Sequence, residues 1–171
     1  TDPEIIMVPF FTDLNVKANF PAGKKDRFYF SFYMGQDKLK VGEEYSNSDD
    51  TSTTHTKYDV GFSWGNMTAM TRWNHEFNKK LFSNFTFTYS RYRFRTWDIF
   101  KERTDRPESI FREERKYFSG IRDFGLRADI DYLPAPDHFV KAGISATWHT
   151  YRPGVNYFFE KDQQIRIDQQ I

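Results

Sequence analysis

The sequence predicts an all-β fold, an antiparallel up-and-down β-barrel whose strands cross a membrane. Apolar and polar side chains alternate along several segments, as in strands with one apolar and one polar face. Aromatic residues form 19% of the chain and collect near the strand ends, where membrane barrels carry aromatic girdles. Short turns alternate with long polar connections: the turns are at 21–26, 78–82 and 133–138, and the connections at 36–56, 98–116 and from 152 onward.

The clearest pair of strands lies between Trp64 and Phe94. Two segments rich in threonine and aromatic residues flank a short polar turn at 78–80. Both arms are longer than the usual strand of about 5 to 6 residues. We therefore expect a tall sheet, which favours a membrane barrel.

Two strands are predicted before this hairpin. Residues 1–11 contain two prolines and are predicted to be a loop. Alternation begins at Leu14 and, after a turn, resumes at Phe28. These patterns predict strands at about 12–20 and 27–36.

The first hairpin strand, predicted at about 57–77, contains a change of phase. Its apolar residues have even numbers up to Trp64 and odd numbers from Met67 onward. A β-bulge at Gly65 and Asn66 would explain the shift, because glycine tolerates the backbone angles of a bulge.

The second hairpin strand, predicted at about 83–98, changes phase as well. Its apolar residues have odd numbers up to Tyr89, after which aromatic residues have even numbers and the odd positions become charged. We expect a second irregularity there. The charged odd positions are Arg91, Arg93 and Arg95.

Two further strands are predicted at about 117–132 and 139–151. In both, apolar residues have even numbers and polar residues odd numbers, from Phe124 to Tyr132 and from Val140 to Trp148. The charges of 98–116 have no apolar stripe, so that segment is predicted to be an exposed loop.

The composition excludes several other classes of protein. No run approaches the about 18 apolar residues of a spanning helix, and the mean hydropathy is −0.78. Alternating barrel strands remain compatible with that value. The net charge of +1 gives no reason to expect a nucleic-acid partner. The chain has no cysteine, which excludes disulfides and thiolate metal sites.

Two segments resemble the barrel region of TonB-dependent outer-membrane receptors of the Bacteroidetes type. The first reads DLNVKANF, followed by KKDRFYFSFYMGQDKL, and the second reads WGNMTAMTRWNHEFNKKLFSNFTFTYSRYRF. Its most specific part is the ordered series Trp-Gly-Asn, Arg-Trp-Asn-His and Leu-Phe-Ser-Asn. The resemblance covers about residues 12–98, and 117–151 in pattern.

The resemblance implies a 22-stranded barrel plugged by an amino-terminal domain, in the outer membrane of a Gram-negative bacterium. It implies uptake of a scarce or bulky nutrient with proton-motive energy relayed by TonB. Residues 1–171 would then be a partial barrel domain of about six strands, without the plug. In lipid, an unpaired strand edge leaves backbone hydrogen-bonding groups unsatisfied. The expected partners therefore include the remaining barrel and the plug. The others are the TonB complex, a surface lipoprotein, lipid and lipopolysaccharide.

No catalytic, cofactor-binding or metal-binding residue is expected, and the chain is not predicted to be an enzyme. Asp49 and Asp50 lack the spaced oxygen ligands of a calcium loop. The histidines lack the spacing of metal ligands; they are His55, His75, His138 and His149.

Two groups of charged residues are candidates for a role in a barrel. The three arginines would attract an anionic ligand or lipopolysaccharide phosphate, since guanidinium matches phosphate in bidentate fashion, or lie in solvent above the membrane. Other charges would line the lumen and pair with each other or with the plug; they are Arg127, Asp129, Asp131, Lys17 and Lys141.

Two alternatives remain open. One is a small, self-contained outer-membrane barrel with a structural or adhesive function, which needs additional strands in 1–11 and 155–171. The other is a soluble β-sandwich that binds carbohydrate through its aromatic residues, in which the same charges form the solvated face. Arg91 favours the second, because an arginine facing lipid at the membrane midplane costs about 2 to 4 kcal/mol.

Overall fold

The computed structural model describes residues 4–105, 108–160 and 163–167, with no helix among them. They form one antiparallel sheet of seven strands, each next to its neighbours in sequence. The prediction of an all-β, up-and-down fold is therefore confirmed, although the sheet is not closed. The strands are β1 (Glu4–Pro21), β2 (Asp26–Ser48), β3 (Thr53–Asn78), β4 (Leu81–Asp105), β5 (Glu108–Ala135), β6 (His138–Glu160) and β7 (Gln163–Ile167).

The described residues form no helix of the length and apolarity that crossing a membrane requires.

The strands are much longer than predicted. β2 to β6 contain 23 to 28 residues, and residues 36–56 continue β2 and β3 as a ladder that closes only at 49–52. The predicted loop at 98–116 likewise pairs β4 with β5, apart from 106–107, which lie outside the described residues. Residues 4–11 belong to β1, and β6 continues to Glu160.

The long polar connections were predicted wrongly because apolar residues are sparse in them. Leu39, Val41 and Tyr45 lie on one face, but Glu43 interrupts this short run, and 98–116 has no such run. Cross-strand polar pairs stabilise the ladder instead. Lys57 forms an ion pair with Glu44 across β2 and β3. The hydroxyl groups of Thr54 and Thr104 lie 3.1 Å apart across β3 and β4.

The two predicted irregularities are absent. Gly65 and Asn66 pair with β2 in the same unbroken register as the residues before and after them. The register of β4 with β5 is also continuous through Arg91, Arg93 and Arg95. The apolar residues move from one face to the other along these strands, but the pairing register does not shift.

Real irregularities occur elsewhere. Phe118 pairs with Val155 and Gly120 with Arg152, so β6 uses one residue more than β5 between these pairs. This bulge contains Pro153, which has no N–H to donate to the ladder. Smaller shifts lie next to the short turns, between Glu76 and Asn78 and between Tyr132 and Ala135.

We call the end of the sheet with the turns 22–25, 79–80 and 136–137 the lower end. The end with the turn 49–52 is the upper end. Strand pairing divides the side chains into two faces. We name one of them the belt face and the other the opposite face. Each face is identified here by one row of residues that are paired across β1 to β6. The belt-face row is Ala18, Phe30, Thr71, Phe87, Leu126 and Ala146, and the opposite-face row is Lys17, Ser31, Met70, Thr88, Gly125 and Thr147.

No hydrophobic side chain among the described residues is buried. The described strands form a single sheet and contact only their sequence neighbours. A β-sandwich buries one face of each sheet against a second sheet, and the described residues contain no second sheet. The apolar side chains of the belt face therefore remain exposed in this chain.

Candidate functional site

The lower half of the belt face carries a continuous apolar band, which we name the belt. Ile144 is 75% exposed and Leu126 is 58% exposed. From Phe124 to Tyr132 the belt covers about 26 Å along β5, close to the about 25 Å of the apolar band of outer-membrane barrels. The belt residues are Leu14, Val16, Ala18, Phe20, Phe28, Phe30, Phe32, Met34, Met67, Ala69, Trp73, Phe85, Phe87, Tyr89, Phe124, Leu126, Ala128, Ile130, Tyr132, Val140, Ala142, Ile144, Ala146 and Trp148.

A row of aromatic rings crosses four strands near the lower edge of the belt. Phe28 stacks with Phe20, with ring centroids 5.8 Å apart, and Trp73 stacks with Phe85 at 5.5 Å. Trp73 Nε1 donates a hydrogen bond of 2.8 Å to Asp26. A ring that is apolar on its body and hydrogen-bonded at its polar edge suits a membrane–water interface.

Below these rings the belt face becomes polar. His75 Nδ1 lies 2.7 Å from an Asp26 carboxylate oxygen. The hydrogen bonds from His75 and Trp73 lower the pKa of Asp26. Asp26 is therefore a charged acceptor at the lower limit of the apolar belt.

The lower half of the opposite face is polar and carries one ion pair within β5 and one between β5 and β6. Arg127 makes two hydrogen bonds to Asp129, of 2.7 and 2.9 Å, and Lys141 lies 3.5 Å from Asp131. The structure thus brings together four of the five charges predicted to line a lumen. Lys17 shares this face but lies on β1, paired in register with Ser31 and far from the other four.

Apolar side chains reappear on the opposite face in the upper half of the strands. They border an open concavity of about 660 Å³, whose lining includes Val41, Phe62, Tyr117 and Phe158. At its edge Tyr58 donates a hydrogen bond of 2.9 Å to Asp98, which raises the pKa of Tyr58. The sequence prediction missed this surface, because it assigned part of it to loops; the even-numbered run from Tyr58 to Trp64 was its only signal.

The upper half of the belt face is charged. Arg91, Arg93 and Arg95 follow Tyr89 upward along β4, all on this face. Further up, Lys40 forms a 3.0 Å ion pair with Asp59. The two faces therefore exchange polarity at one level: below it the belt face is apolar and the opposite face polar, and above it the assignment is reversed.

Six aromatic residues near the long connections were expected to form the upper girdle on one face, and this expectation was wrong in part. Trp97 and Trp148 lie on the belt face, but the other four lie on the opposite face. The reason is the exchange of polarity, which moves aromatic residues away from the belt face in the upper half. The four are Tyr58, Trp64, Tyr92 and Tyr151.

The histidines lie apart from one another. His55 lies 2.7 Å from the hydroxyl of Ser46, His149 lies 2.8 Å from Asp123, and His138 begins β6. Among the residues that the structure describes, no group of three or more histidine and carboxylate side chains is arranged to hold a metal ion.

Asp49 organises the turn between β2 and β3. One carboxylate oxygen accepts hydrogen bonds from the backbone N–H groups of Thr51, at 2.8 Å, and Ser52, at 2.7 Å. These bonds lower the pKa of Asp49. Asp49 is thus the acceptor of an Asx-type turn.

Comparisons with known proteins found limited similarity. No family model matches the chain, and no curated protein matches it. The siderophore receptor PiuA from Acinetobacter baumannii is 8% identical, with a TM-score of 0.20, over 91% of this chain and 47% of that chain. The KdgM porin, solved with disordered oligogalacturonate, is 11% identical, with a TM-score of 0.14, over 90% of this chain and 99% of that chain. Similarity at this level carries no argument about function.

Proposed function

We propose that this chain is an arc of the wall of a transmembrane β-barrel in the outer membrane of a Gram-negative bacterium. The exchange of polarity between the two faces carries this proposal. In a barrel wall the lipid-facing side is apolar only within the bilayer, and the lumen-facing side is polar there. Above the bilayer both sides meet water, and the apolar residues collect on the side that faces the interior.

The proposed barrel is a TonB-dependent receptor of the Bacteroidetes type that imports a scarce or bulky nutrient. The sequence resemblance supports this finer assignment, and the length of the strands is compatible with it. A membrane strand needs about 9 to 11 residues, whereas β3 contains 26. The extra length forms a tall upper rim, and the concavity at Phe62 and Tyr117 is a surface on which a ligand would first bind.

On this proposal the chain is not an enzyme, and its partners complete the barrel. Further strands pair with the edge of β1 and, at the level of the belt, with the edge of β6, which β7 covers only at Asn156–Glu160, because an unpaired edge in lipid leaves backbone groups unsatisfied at several kcal/mol each. A plug domain contacts the charged lower half of the opposite face, and the TonB complex acts on that plug. A surface lipoprotein would cover the upper rim.

Cysteine labelling in intact cells tests the orientation, since the chain has no cysteine of its own. Thr51→Cys, in the upper turn, should react with a membrane-impermeant maleimide on intact cells. Asp137→Cys, in a lower turn, should react only after the outer membrane is permeabilised. The opposite labelling pattern, or labelling of both sites only in lysed cells, would exclude the proposed orientation.

The dependence on TonB is tested separately. Uptake or growth that requires the receptor should stop when TonB is deleted or an uncoupler is added, while ligand binding to intact cells persists. Uptake that is unchanged in the absence of TonB would leave a passive outer-membrane barrel as the function.

A further inference from the structure

Four arginines surround Gly120 on the belt face, just above the belt. Gly120 of β5 pairs with Arg93 of β4 on one side and with Arg152 of β6 on the other. In the row below, Arg91 and Arg122 pair directly with each other. Four arginines on three adjacent strands thus border one position that has no side chain.

Gly120 forms the floor of this arginine slot, which we define by Arg91, Arg93, Arg122, Arg152 and Gly120. A β-carbon at Gly120 would lie 2.8 Å from the carbonyl oxygen of Tyr92 and 3.7 Å from Cγ of Arg93. The backbones of β4 and β6 lie about 10 Å apart across β5. Long arginine side chains can reach across that gap from both sides.

The positive charge of the slot has no counter-charge in the described chain. No carboxylate among the described residues forms an ion pair with any of its four arginines, whereas nearby Lys40 and Lys116 pair with Asp59 and Glu114. Arg93, Arg122 and Arg152 are exposed. Like charges directly opposite each other destabilise a sheet, so an anion in the slot would relieve a repulsion that the chain leaves unbalanced.

The slot lies where the belt ends. The row immediately below Arg91 and Arg122 consists of Tyr89, Phe124 and Trp148, which are the uppermost belt residues on these three strands. An occupant would therefore meet apolar side chains below and guanidinium groups above. A lipid with a phosphorylated headgroup has this chemistry, and arginine binds phosphate oxygens in bidentate fashion.

We propose that the arginine slot binds the phosphate of a lipopolysaccharide headgroup in the outer leaflet, with the acyl chains of the lipid against Tyr89, Phe124 and Trp148. This proposal rests on the proposed membrane orientation. The slot opens on the lipid-facing side, away from the concavity proposed for the transported ligand. Lipid binding would therefore be independent of transport.

The test uses the complete purified receptor in detergent, with thermal stability and lipid affinity as readouts. Bisphosphorylated lipid A should raise the Tm of the wild type. The Arg93→Gln/Arg152→Gln variant should bind it at least about tenfold more weakly, because each variant position loses a charge-assisted hydrogen bond. The matched control is Arg115→Gln, which removes an exposed arginine from the opposite face and should leave lipid affinity unchanged.

Two further ligands identify the source of the phosphate. Dephosphorylated lipid A should bind the wild type at least as weakly as the double variant, which keeps Arg91 and Arg122, binds the bisphosphorylated lipid. Inorganic phosphate at equal concentration should not raise the Tm. Equal lipid affinity in wild type and double variant would overturn the proposal. Stabilisation by inorganic phosphate as strong as that by lipid would also overturn it, in favour of a free-anion site. A wrong membrane orientation would be revealed independently by the cysteine labelling.

Discussion

At the scale of single residues, the sequence predicted which face of the sheet a residue occupies better than it predicted which groups that residue contacts. Arg127 and Asp129 were expected on one polar face, and the structure joins them by two hydrogen bonds. Asp49 was considered only as a calcium ligand and rejected, yet it accepts two backbone hydrogen bonds in a turn. Alternation determines the face of a residue, but a turn acceptor depends on local backbone geometry that has no period.

The carboxylate of Asp49 gives a prediction with a defined pH dependence. Its pKa is lowered in the folded chain, so its stabilising effect is full above the ordinary aspartate value of about 3.9 and is lost as the pH falls through the folded value. Asp49→Ala should make the 49–52 turn exchange amide hydrogens faster at pH 6, after correction for intrinsic rates, with a smaller difference near pH 3. Asp49→Asn, which keeps an acceptor oxygen, should lie between wild type and alanine at pH 6. A turn that exchanges equally fast in all three proteins would contradict this role.

Two glycines on β3 provide a matched test of packing on the belt face. The ring of Trp97 covers Gly61, and a β-carbon there would meet the ring and lie 2.5 Å from the carbonyl oxygen of Leu39. At Gly65 the nearest atom would be 3.4 Å away. Gly61→Ala should destabilise the barrel by about 1 to 3 kcal/mol, as overpacking does, and Gly65→Ala by much less. Equal shifts in Tm for the two variants would show that the ring does not pack on Gly61.

At the scale of strands, predictions succeeded where one face of the strand is apolar and the other is polar. The alternation from Phe124 to Tyr132 identified β5 and its belt face correctly. It failed at 36–56 and 98–116, where polar or charged side chains occur on both faces and only the short run of Leu39, Val41 and Tyr45 keeps a period of two. The exchange of polarity between the faces was also mistaken for a bulge. At Gly65 the apolar residues move to the other face, although the pairing register does not shift.

The continuous register of β2 and β3 can be tested by cross-strand disulfides. Phe32 pairs with Ala69 below the change of phase, and Lys38 pairs with Ser63 above it. Paired residues lie about 4.5 to 5.5 Å apart at Cα, within the range of a disulfide. Both double-cysteine variants, Phe32→Cys/Ala69→Cys and Lys38→Cys/Ser63→Cys, should therefore cross-link on oxidation. A bulge at Gly65 would place one of the two pairs on different faces, and only one variant would cross-link.

At the scale of the whole molecule, the described chain is a sheet with an apolar lower belt and no buried apolar core. Its stability must come from surroundings that cover the belt, since about 25 cal/mol is lost for every square ångström of apolar surface left in water. On the proposed function, a bilayer provides that cover to all six long strands at the same level.

A charge in the belt should therefore be costly only on the lipid-facing side. Leu126→Arg should destabilise the membrane-embedded barrel by about 2 to 4 kcal/mol and reduce its amount in the outer membrane. Thr88→Arg, on the opposite face of the neighbouring strand, should be tolerated, because that face accommodates charge and position 88 pairs with Met70 and Gly125 rather than with another cation. The measurement is unfolding of the complete receptor from lipid vesicles in denaturant. Similar losses for both variants would contradict the assignment of the two faces.

The exchange of polarity between the two faces is tested most directly by spin labels placed one at a time along β5, in the protein reconstituted in lipid. The account predicts that labels at positions 124, 126, 128 and 130 collide with oxygen, which concentrates in lipid, whereas labels at 123, 125, 127 and 129 do not. Above Gly120, labels at 114, 116 and 118 should collide with a water-soluble nickel complex. Labels at 124–130 that all meet the nickel complex equally would show that the belt does not face lipid, and the account would be wrong.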